Sequence, residues 1–177
     1  MRSLPFAVLV ALFTATCIAD QAPERLHIGK AITEDDARRQ GISILPDGSG
    51  LPAGRGTAKQ GAPIYAAQCS ACHGERGEGR EGYPALVGGR GSLSTDKPWL
   101  TVGSYWPTAT TLFDYLWRGM PYATPGSLSA DETYALTAWI LSANDIVKPT
   151  QVIDAKSLPR VKMPNADGFV DASRASP

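Results

Sequence analysis

Cys69-Ser70-Ala71-Cys72-His73 is the stretch on which the reading of this chain turns. Two thiols lie three positions apart and an imidazole follows at once. Covalent attachment of a c-type haem uses this spacing. Each thiol adds across one of two haem vinyl groups on neighbouring pyrrole rings, and the next residue falls under the iron, where a neutral imidazole can coordinate. Other uses of two thiols fit less well. A structural zinc site wants four ligands, and the 177 residues contain three Cys and two His, of which His27 stands isolated. A thioredoxin-like pair belongs after a strand in a βαβ unit, whereas this one follows a helical pattern. A plain disulfide leaves His73 without a purpose. The motif implies one covalently attached haem c, held through Cys69 and Cys72 with His73 on the iron.

An electron carrier wants a sixth ligand, and a Met thioether raises the potential. Met120, in Arg118-Gly-Met-Pro121, lies 47 residues after His73, in a tight loop between two predicted helices. It is the first candidate. Met163, in Val161-Lys-Met-Pro164 beyond the last helix, is the alternative. His27 would give a bis-His site, but as a lone His it reads as a surface residue. Tyr105, Trp106 and Arg118 are donors able to hold haem propionates, whose unpaired charge is costly to bury. Trp99, Tyr115 and Trp117 are candidates for the pocket wall.

Three helices are expected around this motif. The first runs from about Thr57 to Ala67, with Ile64 and Tyr65 facing the core, and Pro63 predicts a late or irregular start. The second runs over Thr108–Arg118, with Leu112, Phe113, Leu116 and Trp117 on one face and Gly119 and Pro121 at its end. The third follows the capping box Ser129-Ala-Asp-Glu132. It carries the stripe Leu136, Trp139, Ile140 and Ala143, with Asn144 able to close it. Between the first two lies the loop Gly74–Pro107 with eight glycines. A loop of that length needs something packed against it, and a cofactor is expected in that role. Gly77-Glu-Gly-Arg-Glu-Gly82 matches a dinucleotide fingerprint, but it neither follows a strand nor opens a helix. It reads as a turn-rich loop beside the haem.

Residues 1–19 read as a secretory signal, with Arg2, an apolar run from Leu4 to Thr16, and small residues before a cut after Ala19. The run is too short to span a membrane comfortably. Removing it leaves no membrane span in prospect and disposes of Cys17. The 17 basic and 17 acidic residues of the whole chain become 16 and 17, a charge of −1, and that balance argues against a nucleic-acid partner. Residues 20–56 form an arm, in which Thr33-Glu-Asp-Asp36 can start a short helix that Gly41 stops. Residues 57–148 form the haem domain and residues 149–177 a second extension. Export to a bacterial periplasm is the expectation.

Gly61-x-x-x-Tyr65-x-x-x-Cys69-x-x-Cys72-His73-Gly74, then Gly119-Met120-Pro121 and a closing helix, resembles class I cytochrome c. The resemblance implies an all-α fold with crossing terminal helices, here with long, largely irregular N- and C-terminal extensions. It implies that Gly61 and Tyr65 pack against the Trp139 region. It also implies that the Pro84 carbonyl accepts a hydrogen bond from the His73 ring nitrogen not bound to iron.

Further stretches sharpen this: Thr101-Val-Gly-Ser-Tyr-Trp-Pro107, Ala109-Thr-Thr-Leu-Phe-Asp-Tyr115, Pro125-Gly-Ser-Leu128 and Val161-Lys-Met-Pro-Asn165. Over roughly residues 28–171 the chain resembles the cytochrome c subunits of sulfur-oxidising molybdenum enzymes, sulfane dehydrogenase of the Sox pathway and sulfite dehydrogenases. It departs from two-haem members in having a single Cys-x-x-Cys-His. The resemblance implies an electron-transfer subunit with no catalytic centre of its own. Its partners would be a molybdenum-enzyme catalytic subunit and a downstream acceptor such as another cytochrome c. Two other readings stand beside it. A free-standing carrier to a terminal oxidase often has a strong charge asymmetry, which the near-neutral chain lacks. A haem sensor or oxygen-chemistry enzyme would need an open sixth position.

Overall fold

Two capping boxes set the starts of the two helices that frame the molecule. The Thr57 side chain accepts from the Gln60 amide, and the Gln60 side chain accepts in turn from the Thr57 amide, opening α1 at Ala58–Gln68. Ser129 and Glu132 do the same for α4 at Ala130–Ala143. Each box satisfies two helix-end donors reciprocally. A four-residue turn of helix, α2 at Ser70–His73, follows α1 directly, and α3 spans Ala109–Gly119 with Thr108 as its N-cap. The structure, a computed structural model, describes residue 29, residues 31–33 and residues 43–170. The signal segment, His27, the helix expected after Thr33 and residues 171–177 lie outside the described residues.

Pro63 does not delay α1. The helix runs unbroken from Ala58 through it. A proline withholds one hydrogen bond, here from the carbonyl four residues back on Lys59. Lys59, Ala62 and Pro63 are all exposed, so water can serve that carbonyl and the cost stays small.

The helix α4 is the spine. Residues Thr133 to Ala138, with Ile140 and Leu141, are buried, so it is enclosed on more sides than a single stripe predicts. Trp139 and Ala143, expected in the stripe, sit at its edge, partly exposed. α1 and α3 both pack on it. So does a two-strand antiparallel ladder absent from the sequence expectation, with β1 at Arg55–Gly56 and β2 at Ile153–Asp154. This ladder joins the N-terminal arm to the C-terminal extension, and Ile153 is fully buried beneath it. Two buried threonines are tolerated in α4 because their hydroxyls return to the preceding turn, Thr133 to the Ser129 carbonyl at 2.9 Å and Thr137 to the Thr133 carbonyl at 2.7 Å. The arm is tied down by the Tyr134 hydroxyl, which donates to the Pro52 carbonyl at 2.9 Å, and by the Arg55 amide, which donates to Asp131 at 2.7 Å.

Phe113, Leu112 and Leu116 of α3 are buried, with the Phe113 ring 4.4 Å from that of Tyr134. The C-terminal extension is less irregular than expected. Beyond β2 it makes a short 3-10 turn at Leu158–Arg160, and Leu158 and Met163 enter the core.

The long loop also has more internal order than its glycines imply. It contains a 3-10 turn at Ser92–Ser94 and a bridge between Arg80 and Tyr83. Asn144, at the end of α4, is its anchor. The Asn144 carboxamide oxygen accepts from the Gly88 amide at 3.0 Å, and its nitrogen donates to the carbonyls of Leu86 and Ile140. The Arg90 guanidinium donates to the Asn144 backbone carbonyl at 2.9 Å. The chain's own spine therefore supplies part of the packing that the sequence reading assigned to a cofactor.

Candidate haem site

Cys69 is at once the C-cap of α1 and the N-cap of α2. Its carbonyl accepts from the amides of Cys72 and His73, at 3.2 and 2.9 Å. Cys69, Cys72 and His73 thus occupy one helical turn at positions i, i+3 and i+4, the spacing that brings side chains onto a common face. All three are partly exposed, and both thiols are free. Burial, and then the neighbouring Cys72, push the Cys69 thiol up to about 11. A neutral sulfur suits an apolar wall.

The Nδ1 atom of His73 lies 2.8 Å from the Pro84 carbonyl oxygen. A carbonyl can only accept, so the proton sits on Nδ1 and the lone pair on Nε2 is left for a metal. Pro84 reaches this position because the loop doubles back: the Gly79 amide donates to the His73 carbonyl at 2.7 Å, and the Leu86 and Val87 amides donate to the Gly77 carbonyl. These bonds also bear on the Gly77–Gly82 fingerprint. The Gly79 amide is already engaged and cannot cradle a phosphate.

This donor set fits a covalently held haem: two free thiols and one imidazole with an open Nε2, on one turn. Among the described residues, no group of three or more His, Cys, Asp and Glu side chains could hold a bare metal ion.

The two methionines stand in different environments. Met120 caps the C-terminus of α3 and is partly exposed, packed against the edge of the core. Met163 is 1% exposed, inside the core cluster. The expected propionate donors are spread out. Arg118 is committed to Asp114 on its own helix, with Nε donating at 2.8 Å to one carboxylate oxygen and Nη2 bonded to the other. Tyr105 is exposed, edge-on to Phe169 at 5.2 Å, and its carbonyl accepts from Asn165. Trp106 is partly buried, edge-on to Tyr115 at 5.7 Å. Trp99 is exposed and Trp117 stacks on Phe113.

Sequence reasoning missed the anchoring roles of Asn144 and Arg90, and the hydroxyl of Tyr65. The Tyr65 ring stacks on Trp139 with centroids 3.6 Å apart, and its hydroxyl donates to the Gly74 carbonyl at 2.7 Å. The helical spacing announced the ring, but nothing local announced the hydroxyl's partner nine residues on.

A helical domain whose first and last helices pack closely on each other, with Cys-x-x-Cys-His at the end of the first, defines a haem-c protein of the electron-transferring kind. Residues 56–140 match the family described as cytochrome c oxidase, cbb3-type, subunit III. The fold is similar to that of a chain in the crystal structure of the sulfane dehydrogenase SoxCD from Paracoccus pantotrophus, with a TM-score of 0.78. The two chains are 38% identical, over 85% of this chain and 74% of that one. No curated protein matches. The chain belongs to the class I cytochromes c, carries haem c, and resembles the cytochrome c subunit of sulfane dehydrogenase. Among the described residues, no helix is long and apolar enough to cross a membrane.

Proposed function

We propose that this cytochrome is the electron-transfer subunit of a molybdenum-containing sulfane or sulfite dehydrogenase, exported to the periplasm after cleavage near Ala19. One observation carries the reading. The likeness to the SoxCD chain spans 85% of this sequence, well beyond the haem domain. Both flanking segments are built into the fold, through the β1–β2 ladder and the burial of Leu158 and Met163. In this reading the mature chain consists of the arm 20–56, the haem domain 57–148 and the extension 149–177. The arm and extension offer surface to a large partner.

The bound haem supplies a one-electron couple. The chain's residues do the rest. Cys69 and Cys72 hold the group covalently. His73 is the proximal ligand, oriented by the Pro84 carbonyl. Met120 is the sixth ligand, because its partial exposure leaves its thioether free to turn towards a ligand, whereas Met163 is already enclosed by apolar neighbours. Tyr105 and Trp106 are donors for the propionates; Arg118 would have to leave Asp114 to join them.

The test is purification of the native protein from its source under mild conditions. A molybdenum-containing subunit is expected in the same peak, with electrons from a sulfane or sulfite substrate reducing the haem. A cytochrome that elutes alone, and stays oxidised when the candidate dehydrogenase and its substrate are added, is a free carrier instead.

A further inference from the structure

Tyr65 is 1% exposed, and its ring is fully occupied in packing against Trp139. A phenylalanine would fill the same space and bring no polar atom to satisfy. The hydroxyl therefore invites a separate explanation, because a buried hydroxyl is costly unless paired. Its partner is specific. It donates at 2.7 Å to the carbonyl of Gly74, the residue after His73. The other donor to that carbonyl is the Gly77 amide, at a long 3.4 Å. Gly74 is itself buried and holds a left-handed φ of 83°, which glycine adopts without steric cost.

The His73 imidazole hangs on this turn. Its carbonyl is held by the Gly79 amide, its Nδ1 by Pro84, and the next carbonyl by Tyr65. The first two restraints come from the glycine-rich loop. The third comes from a side chain of α1, and it adds to the backbone bond from the His73 amide to the Cys69 carbonyl at the end of that helix. Burial pushes the Tyr65 hydroxyl up to about 12, so it stays a donor at any pH at which the fold is used.

We propose that Tyr65 is a positioning residue for the proximal ligand: its hydroxyl pins the Gly74 carbonyl and so restrains the turn that orients His73. The proposal rests on His73 being the axial ligand. The positive end of the hydroxyl dipole points at the turn, which favours the more electron-rich state of whatever the turn supports.

The holoprotein carrying Tyr65→Phe tests this, with Trp139→Phe as a packing control. In the wild type, paramagnetically shifted ring resonances of His73 identify the ligand. Tyr65→Phe is expected to move those resonances and to speed exchange of the Gly79 amide about tenfold. It should also lower the midpoint potential, by a roughly threefold change in the reduced-to-oxidised ratio, about 28 mV at about 59 mV per decade. Trp139→Phe is expected to lower the melting temperature and leave all three in place. If Tyr65→Phe only lowers the melting temperature, with resonances, exchange and potential as in wild type, the hydroxyl is structural and the proposal fails alone. If wild-type His73 shows no shifted resonances, the axial assignment fails and the proposal falls with it.

Discussion

Gly61 of α1 lies directly against the backbone of Ala135 in α4: a Cβ at Gly61 would overlap the Ala135 carbonyl oxygen and stand 2.9 Å from the Trp139 Cβ. Gly56 of β1 meets the same residue, with its Cβ position overlapping the Ala135 amide nitrogen. Two glycines thus let two elements touch the spine at one point.

Gly61→Ala sets two effects against each other. In a helix interior, alanine gains about 1 kcal/mol over glycine. Overpacking a tight contact costs about 1–3 kcal/mol or more, and here the obstacle is backbone, which cannot swing aside. The second effect wins. A net destabilisation is expected in chemical unfolding of the holoprotein, and adding Ala135→Gly should not restore it, because the clash is with the carbonyl and not with the methyl group.

Asn144→Ala leaves the Gly88 amide and the Leu86 carbonyl without their partners. Unpaired buried polar groups cost about 1–3 kcal/mol each. Water reaching the loosened loop recovers part of that, so a loss of about 2–3 kcal/mol is expected. Amide exchange should accelerate first at Gly88, and a variant that keeps wild-type protection there would refute the anchoring role.

The cap of α4 carries a pH dependence. Hydrogen bonds from the Ser129 amide and hydroxyl hold the Glu132 carboxyl below the usual glutamate value of 4.5. A carboxyl with a lowered folded-state value contributes stability above its unfolded value, and that contribution fades as pH falls through the folded one. Ser129→Ala should cost about 1 kcal/mol at neutral pH. The gap between variant and wild type should narrow below about pH 4.5, the unfolded value. Unfolding measured at pH 7 and at pH 3.5 checks this; the amide of residue 129 still bonds the carboxyl in the variant, so a gap that does not change excludes a part for the Ser129 hydroxyl in holding it.

The two methionines should separate cleanly. Met120→Ala is expected to abolish the far-red methionine–iron charge-transfer band and lower the potential, with a modest effect on folding. Met163→Ala removes a fully buried side chain and should cost about 2–5 kcal/mol while the band persists. The reverse pattern would make Met163 the ligand.

Much of this was written locally. Cys69, Cys72 and His73 announce themselves because one helical turn dictates their spacing. Ser129 with Glu132, and the apolar face Leu112–Leu116, are likewise short-range patterns whose physics lies within a few residues. The resemblance to sulfur-oxidising cytochrome subunits was legible for the same reason, in contiguous runs.

Other features needed the folded chain. Nothing near Asn144 says that it will receive an amide 56 positions away. Nothing in the tail says that Ile153 will pair with Gly56, or that Met163 will lie in the core. Pro63 misled because its penalty depends on whether water reaches the Lys59 carbonyl, a matter of exposure and not of sequence. The sequence by itself determined which group this protein carries and that two thiols and an imidazole share one turn, because helical periodicity acts over one or two turns. Only the tertiary structure decided what holds the loop, which methionine is enclosed and what the Tyr65 hydroxyl touches, because close packing and hydrogen-bond satisfaction bring together residues that the chain keeps far apart.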